Sequence, residues 1–166
     1  MSFINVKITQ PPKLDVQFKG CIYLGVPKSK SQLVKGKKTK ARTEFTNADI
    51  LFVLENGSPA RNIVPRPLLS SVLKLHQNEL KEALYNALPI IFGSEEKDVD
   101  IYFEKLALRI QGWTQMFMVR EGQQLWKPSI RVLKAQARGE EAKTMIDSGS
   151  LRQSIIAFYS KDGSSD

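Results

Sequence analysis

Two stretches near the start of the chain alternate apolar and polar side chains. Ile4, Val6 and Ile8 interleave with Phe3, Asn5 and Lys7 across residues 3–9, and Leu14, Val16 and Phe18 with Asp15, Gln17 and Lys19 across 14–19. A period of two puts successive side chains on opposite faces of a strand, so the pattern predicts two strands joined through the break at Pro11-Pro12. The apolar run at 21–26, Cys-Ile-Tyr-Leu-Gly-Val, either continues or pairs with them. Residues 27–46 carry no apolar period and are rich in Lys, Ser, Gly and Thr, which predicts an extended, mobile loop.

From there the period changes to three and four. Asn47 is placed to cap a short helix that stops at Gly57. A proline-rich turn follows, and Pro67 suits the first position of a helix, where the amide it lacks has no partner. Leu69, Val72, Leu73, His76, Leu80, Ala83, Leu84, Ala87 and Leu88 then share one face, predicting one long inward-packing helix that Pro89 and Gly93 end. Val99, Tyr102, Phe103, Leu106, Ile110, Trp113 and Phe117 form the stripe of a second long helix, from about Glu95 to Arg120. A short helix near Pro128–Ala137 closes at Gly139. The chain finishes with a turn at Asp147-Ser148-Gly149 and an apolar segment, Leu151–Tyr159, whose last part reads as a strand. Strands at both ends of a helical middle predict a single α+β domain over residues 1–166. A small, mostly antiparallel sheet, built from the N-terminal strands plus the C-terminal one, packs against two long helices and shorter ones. Residues 161–166 read as a disordered tail.

Composition changes this picture little. The 166 residues are 42% hydrophobic and 25% charged, ordinary for a globular chain with room for a core. No run approaches the roughly 18–20 apolar residues of a membrane span. The first twelve residues do not read as a signal peptide. Cys21 is the only cysteine, which excludes an internal disulfide and fits assembly in a reducing cytoplasm.

Charge changes it more. The net charge is +8, yet seven cations and no acid lie between Lys28 and Arg42: Lys28, Lys30, Lys35, Lys37, Lys38, Lys40 and Arg42. They account for all but one of the excess charges, so the basicity belongs to one segment. Such a segment can contact phosphates in a sequence-independent, salt-sensitive way. It has no aromatic residue before Phe45 on which single-stranded bases would stack. The other reading is a solvated loop that orders only against a protein partner.

Catalysis finds no machinery. His76, the only histidine, lies on the apolar stripe and reads as a packed histidine more than a general base. Cys21 sits in an apolar run and reads as a buried, inert thiol. Glu95-Glu96, Asp98, Asp100 and Glu140-Glu141 fall at helix starts or in loops, where acids favour the helix dipole or face water. No glycine pattern cradles phosphate. No enzyme, cofactor, metal or small-molecule substrate is expected.

Three segments, in order, carry a resemblance. Ala48-Asp49-Ile50-Leu51-Phe52-Val53-Leu54-Glu55-Asn56-Gly57, with Ile63-Val64-Pro65-Arg66-Pro67-Leu68-Leu69, resembles a short helix ending in Glu-Phe-Gly and a loop into Ile-Pro-x-Arg-Pro-Phe-Leu. Leu125-Trp126-Lys127-Pro128-Ser129-Ile130-Arg131 is similar to Pro-Leu-x-Pro-x-Thr-Ile. Met145-Ile146-Asp147-Ser148-Gly149-Ser150-Leu151-Arg152-Gln153-Ser154-Ile155 is similar to Leu-Ile-Asp-Thr-Gly-x-Leu-x-x-Ser-Ile. These are patterns of the neck and tail-completion proteins of tailed bacteriophages, and the match spans roughly residues 20–160. The chain departs from them at Asn56, Val64, Leu68 and Ser148, and its Lys-rich segment is longer and more basic.

The resemblance implies a virion subunit, assembled in the host cytoplasm, that forms a homo-oligomeric ring at the head–tail junction around a channel for DNA. Its implied partners are copies of itself and neighbouring neck and tail proteins, without membrane. Subunit contacts are expected at Arg61, Pro65, Arg66, Pro67 and Trp126, although Trp126 equally suits anchoring its own next helix and Arg66 a solvated turn. Channel or partner contacts are expected at the seven cations. A structural turn is expected at Asp147, Ser148 and Gly149, with Leu151 pinning it to the core.

Overall fold

The computed structural model describes residues 20–30, 45–93, 96–142 and 149–161. Its elements are the strands β1 (Cys21–Gly25) and β2 (Ile156–Ser160) and the helices α1 (Asn47–Asn56), α2 (Leu68–Leu75), α3 (Gln77–Gly93), α4 (Glu96–Val119), α5 (Glu121–Leu125), α6 (Ile130–Gln136) and α7 (Ser150–Ser154). The fold is α+β. The predicted strands at 3–9 and 14–19 lie outside the described residues, as do 31–44 of the predicted loop and 162–166 of the predicted tail. No helix among the described residues is long and apolar enough to cross a membrane.

β1 and β2 pair antiparallel, with Tyr23 opposite Phe158 and Leu24 opposite Ala157. Alternation assigns the faces. Tyr23 and Phe158 stack across the strands on the outer face, centroids 5.2 Å apart. Ile22, Leu24, Ala157 and Tyr159 take the inner face, where Ile22, Leu24 and Tyr159 pack on the core and Ala157 is buried. Cys21 shares the outer face with Tyr23, so its thiol is exposed. The expected buried cysteine is thereby corrected: its run is apolar throughout, but only every second side chain faces in.

α4 is the spine. Val99, Phe103, Leu106 and Ile110 join Ala83 and Ala87 of α3 in one core cluster. Phe117 and Met118 join Leu51, Leu68, Val72, Leu151 and Ile155 in a second. Trp113 touches both. Glutamines of α4 also satisfy the backbone beside β2. The Gln111 carbonyl accepts from the Ala157 amide at 3.0 Å, and the Gln115 amide donates to the Ile155 carbonyl at 3.2 Å. The predicted bounds of this helix fall within a residue of those found.

The other long helix is not one helix. The chain breaks at His76, between α2 and α3, because the two halves bury different faces in different clusters. Leu68 and Val72 enter one cluster and Ala83 and Ala87 the other. Leu73, Leu84 and Leu88, expected inside, are left exposed. The His76 ring fills the joint, stacked on Trp113 at 4.2 Å and 5°, with Nδ1 3.3 Å from Glu79 Oε1. Pro67 stands one position earlier than expected, as the N-cap of α2. Pro89 does not end α3 but lies within it, on its exposed side, where the carbonyl it leaves unbonded can meet water.

The cap of α1 is Thr46, not Asn47. The Thr46 hydroxyl accepts from the Asp49 amide and the Asp49 carboxylate accepts from the Thr46 amide at 2.8 Å, a reciprocal capping box. These bonds from the Thr46 amide and hydroxyl hold the Asp49 carboxyl below the usual carboxylate range. Thr46→Ala is expected to lower stability by about 0.5–2 kcal/mol in urea denaturation. Because the folded-state pKa of Asp49 is depressed, its contribution is present above the unfolded value of about 3.9 and is lost as pH falls through the folded one. The melting-temperature gap between the protein and Asp49→Ala should therefore hold from neutral pH to about 5 and close at lower pH. A gap unchanged at pH 3 would contradict the capping box.

Candidate functional site

The segments that carry the resemblance lie far apart in sequence and meet in the fold. α1 ends at Gly57, whose φ of 74° is in the left-handed region. A Cβ there would fall 2.8 Å from Pro65 Cδ and 2.9 Å from the Ile63 carbonyl oxygen, so only glycine lets the outgoing and returning strands of this loop touch. Between them Ser58 and Ile63 exchange backbone hydrogen bonds of 2.9 and 3.0 Å around a tight turn at Pro59–Arg61. Arg61, exposed, lies over the ring of Phe45, 4.6 Å from its centroid.

Glu55 explains how the next helix starts. Its Oε2 accepts from the Leu69 amide at 3.0 Å, and its Oε1 from the Ser70 amide at 3.1 Å and from the Ser70 hydroxyl. First-turn amides have no partner inside their own helix, and Pro67 gives α2 no side-chain cap. A carboxylate from the previous helix supplies one, at the positive end of the α2 dipole. The backbone locks the same contact, the Arg66 amide donating to the Leu54 carbonyl at 2.6 Å.

Arg66 then reaches the second segment. Its guanidinium donates to the Lys127 carbonyl at 3.2 Å, within this chain. Beside it, Trp126 turns inward. Its ring meets Phe117 edge-on at 5.5 Å and lies where a Cβ on Gly122 would be, 2.8 Å away. Trp126 was expected to anchor the next helix or a neighbouring subunit; the contacts it makes here are with the preceding helices, Phe117 of α4 and Gly122 of α5. Ser129 caps α6, accepting from the Val132 amide.

The third segment closes on α1. Gly149, at φ 75°, leads into α7, and Leu151 and Ile155 are buried in the core cluster that also holds Leu51 and Leu68. Asn47, only 1% exposed, donates through Nδ2 to the hydroxyls of Ser150 and Ser154, and the Ser154 hydroxyl donates to the Ser150 carbonyl. Asp147 and Ser148 lie outside the described residues.

The junction's carboxylate and the nitrogen of its buried amide are occupied in joining helices, while the buried Asn47 Oδ1 has no hydrogen-bond partner among the described residues. Elsewhere, His76 is stacked on Trp113 and Cys21 is an exposed free thiol on the outer face of β1. Among the described residues no group of three or more His, Cys, Asp or Glu side chains is placed to hold a metal. A wide, open depression between α5 and residues 139–142 is lined by Glu121, Gln124, Pro128, Gln136 and Glu140. Glu140 there is paired with Arg138 at 2.7 Å, a bond that holds the carboxyl low. Of the predicted channel cations, Lys28 is exposed on a short 3-10 turn at Lys28–Lys30, and Lys35, Lys37, Lys38, Lys40 and Arg42 lie outside the described residues.

No family model matches the chain, and no curated protein or solved structure matches it significantly.

Two residues central to the junction, Glu55 and Asn47, were missing from the expected set. Glu55 left one clue: an acid in the last turn of a helix opposes that helix's own dipole, so it needs a use elsewhere. Asn47 left none, since an asparagine before a short helix reads first as its cap. Asn47→Ala should cost about 1–3 kcal/mol by removing the bonds its buried amide donates to the Ser150 and Ser154 hydroxyls, with the urea m-value unchanged. Gly57→Ala should cost at least as much, through a strained φ and a clash with Pro65. Wild-type stability in either variant would contradict the junction.

Proposed function

We propose that this chain is a structural virion subunit of a tailed bacteriophage. It forms a homo-oligomeric ring at the head–tail junction, as a neck or tail-completion protein, and leaves a channel for DNA. The observation that carries this reading is the resemblance of the three ordered segments to those proteins. It is supported by the contact of those segments in one junction: Glu55 of the first caps the helix that follows it, Arg66 grips Lys127 of the second, and Asn47 bonds Ser150 and Ser154 of the third. A shared structural core is the reason such motifs would travel together without a catalytic group among them.

On this reading the work is geometric. The junction fixes the fold, the outer surfaces bind neighbouring copies and neck or tail proteins, and the cations from Lys28 to Arg42 face a partner or the DNA in the channel. No cofactor, substrate or membrane takes part. Imaging of the purified protein by negative stain is expected to show closed rings of one countable size. Particles of monomer size at every concentration would overturn the proposal.

One observation favours a second reading, a sequence-independent nucleic-acid-binding module: seven cations without an acid between Lys28 and Arg42. Gel-shift titration with duplex DNA at two salt concentrations separates the two. The free subunit is expected to bind negligibly, and micromolar or tighter binding that weakens steeply with salt would favour the module. Deleting residues 28–42 should leave a folded subunit that no longer assembles.

A further inference from the structure

The two edges of the β1–β2 pair are treated differently. In an antiparallel pair, residues directly opposite one another either exchange both backbone bonds or both turn outward. The Ala157 amide donates to Gln111 Oε1 at 3.0 Å, so Ala157 turns away from β1. Leu24, directly opposite, therefore turns its amide and carbonyl away from β2, and by the period of two so does Ile22. The outer edge of β2 is taken up by α4, through Gln111 at Ala157 and Gln115 at the Ile155 carbonyl. The outer edge of β1 presents the backbone groups of Ile22 and Leu24, and among the described residues nothing bonds to them. An edge left in that state is a template for another strand.

Side-chain cover is short on the same side. Ile22 and Leu24 point toward α4 yet stay only partly buried, whereas Ala157 on the neighbouring strand is buried. Residues opposite one another share a face, so whatever strand faces Ile22 and Leu24 turns those same positions toward α4. It needs apolar side chains there and polar ones between. Immediately before β1, outside the described residues, the chain reads Leu14-Asp15-Val16-Gln17-Phe18. Lys19 and Gly20 alone separate it from β1. So short a link allows an antiparallel return and excludes a parallel one, which needs a crossover of about a dozen residues. Setting even positions against even positions turns Leu14, Val16 and Phe18 toward α4. A slip of one residue would bring Asp15 and Gln17 there instead.

We infer that the outer edge of β1 is a strand-accepting site whose occupant is the chain's own segment 14–18, antiparallel, with Phe18 opposite Ile22 and Val16 opposite Leu24. The apolar run at 21–26 thus pairs with the alternating stretch before it and does not continue it. Gln17 falls opposite Tyr23 on the outer face. The inference does not depend on the ring reading.

Cross-linking tests both the occupant and the register. In a Cys21→Ser background, Gln17→Cys with Tyr23→Cys places two thiols opposite one another on one face, with Cβ atoms roughly 4.5–5.5 Å apart. Mild oxidation should give a disulfide within one chain, read as monomer on a non-reducing gel. Val16→Cys with Tyr23→Cys, on opposite faces, should stay reduced. Disulfide-linked dimers would assign the edge to a second copy, and a bond from Val16→Cys would assign the slipped register; either overturns the inference. Tyr23 stacks on Phe158, so if its variant fails to fold, amide exchange in the unsubstituted chain decides. The Ile22 and Leu24 amides should exchange as slowly as that of Tyr23, and Val16→Asp should speed those two by about tenfold or more while sparing Tyr23. Unprotected Ile22 and Leu24 beside a slow Tyr23 would show the edge empty and overturn the inference.

Discussion

The two strands of the described residues cannot bury a face by themselves, and the surface that covers them is α4. Everything else is arranged by that constraint. Ile22, Leu24, Ala157 and Tyr159 turn toward the helix, Tyr159 stacking on Phe103 at 5.3 Å. Gln111 and Gln115 take up backbone groups at Ala157 and Ile155 that the ribbon leaves unpaired, and Lys161 pairs with Asp100 just beyond it. β1 and β2 come from opposite ends of the described chain, so their pairing closes a long loop before the ribbon contributes anything. The helix they close on spans both core clusters, and α2, α3, α5 and α7 take their places against it.

The second organising feature is the junction where polar groups join helices that also share a buried apolar cluster. Glu55, Arg66 and Asn47 each reach across the sequence to backbone or hydroxyl groups of another segment. Such bonds are directional, so they fix how α1, α2 and α7 meet more tightly than a hydrophobic contact would. Gly57 is required there by a backbone approach, and Glu55 by a neighbouring helix start.

Where one physical signal acted alone, the fold was legible in the sequence. α4 has an unbroken stripe of large side chains and nothing within it to interrupt the period, and its bounds could be read to within a residue. Legibility failed where two requirements met at one place. Apolar spacing runs through His76 without a gap, so nothing local reveals that α2 and α3 bury different faces. Thr46 and Asn47 are both good caps, and only burial against Ser150 and Ser154 decides between them. Cys21 sits in an apolar run whose register is set by a partner more than a hundred residues away. The junction was half legible, since its turns and glycines follow from local chemistry while the partners of Glu55 and Arg66 are tertiary. Leu84 and Leu88 carried a signal that was misassigned: they read as core, and the structure leaves them outside.

The account's central claim is that an internal junction holds the subunit while separate outer faces assemble it. Hydrogen–deuterium exchange, followed by mass spectrometry on dilute and on concentrated protein, tests it most directly. The account predicts slow exchange at both concentrations in peptides covering α1, the first turn of α2 and α7. It predicts new protection on concentration in peptides outside the junction. Fast exchange in the junction peptides, or identical exchange everywhere in dilute and concentrated samples, would contradict it.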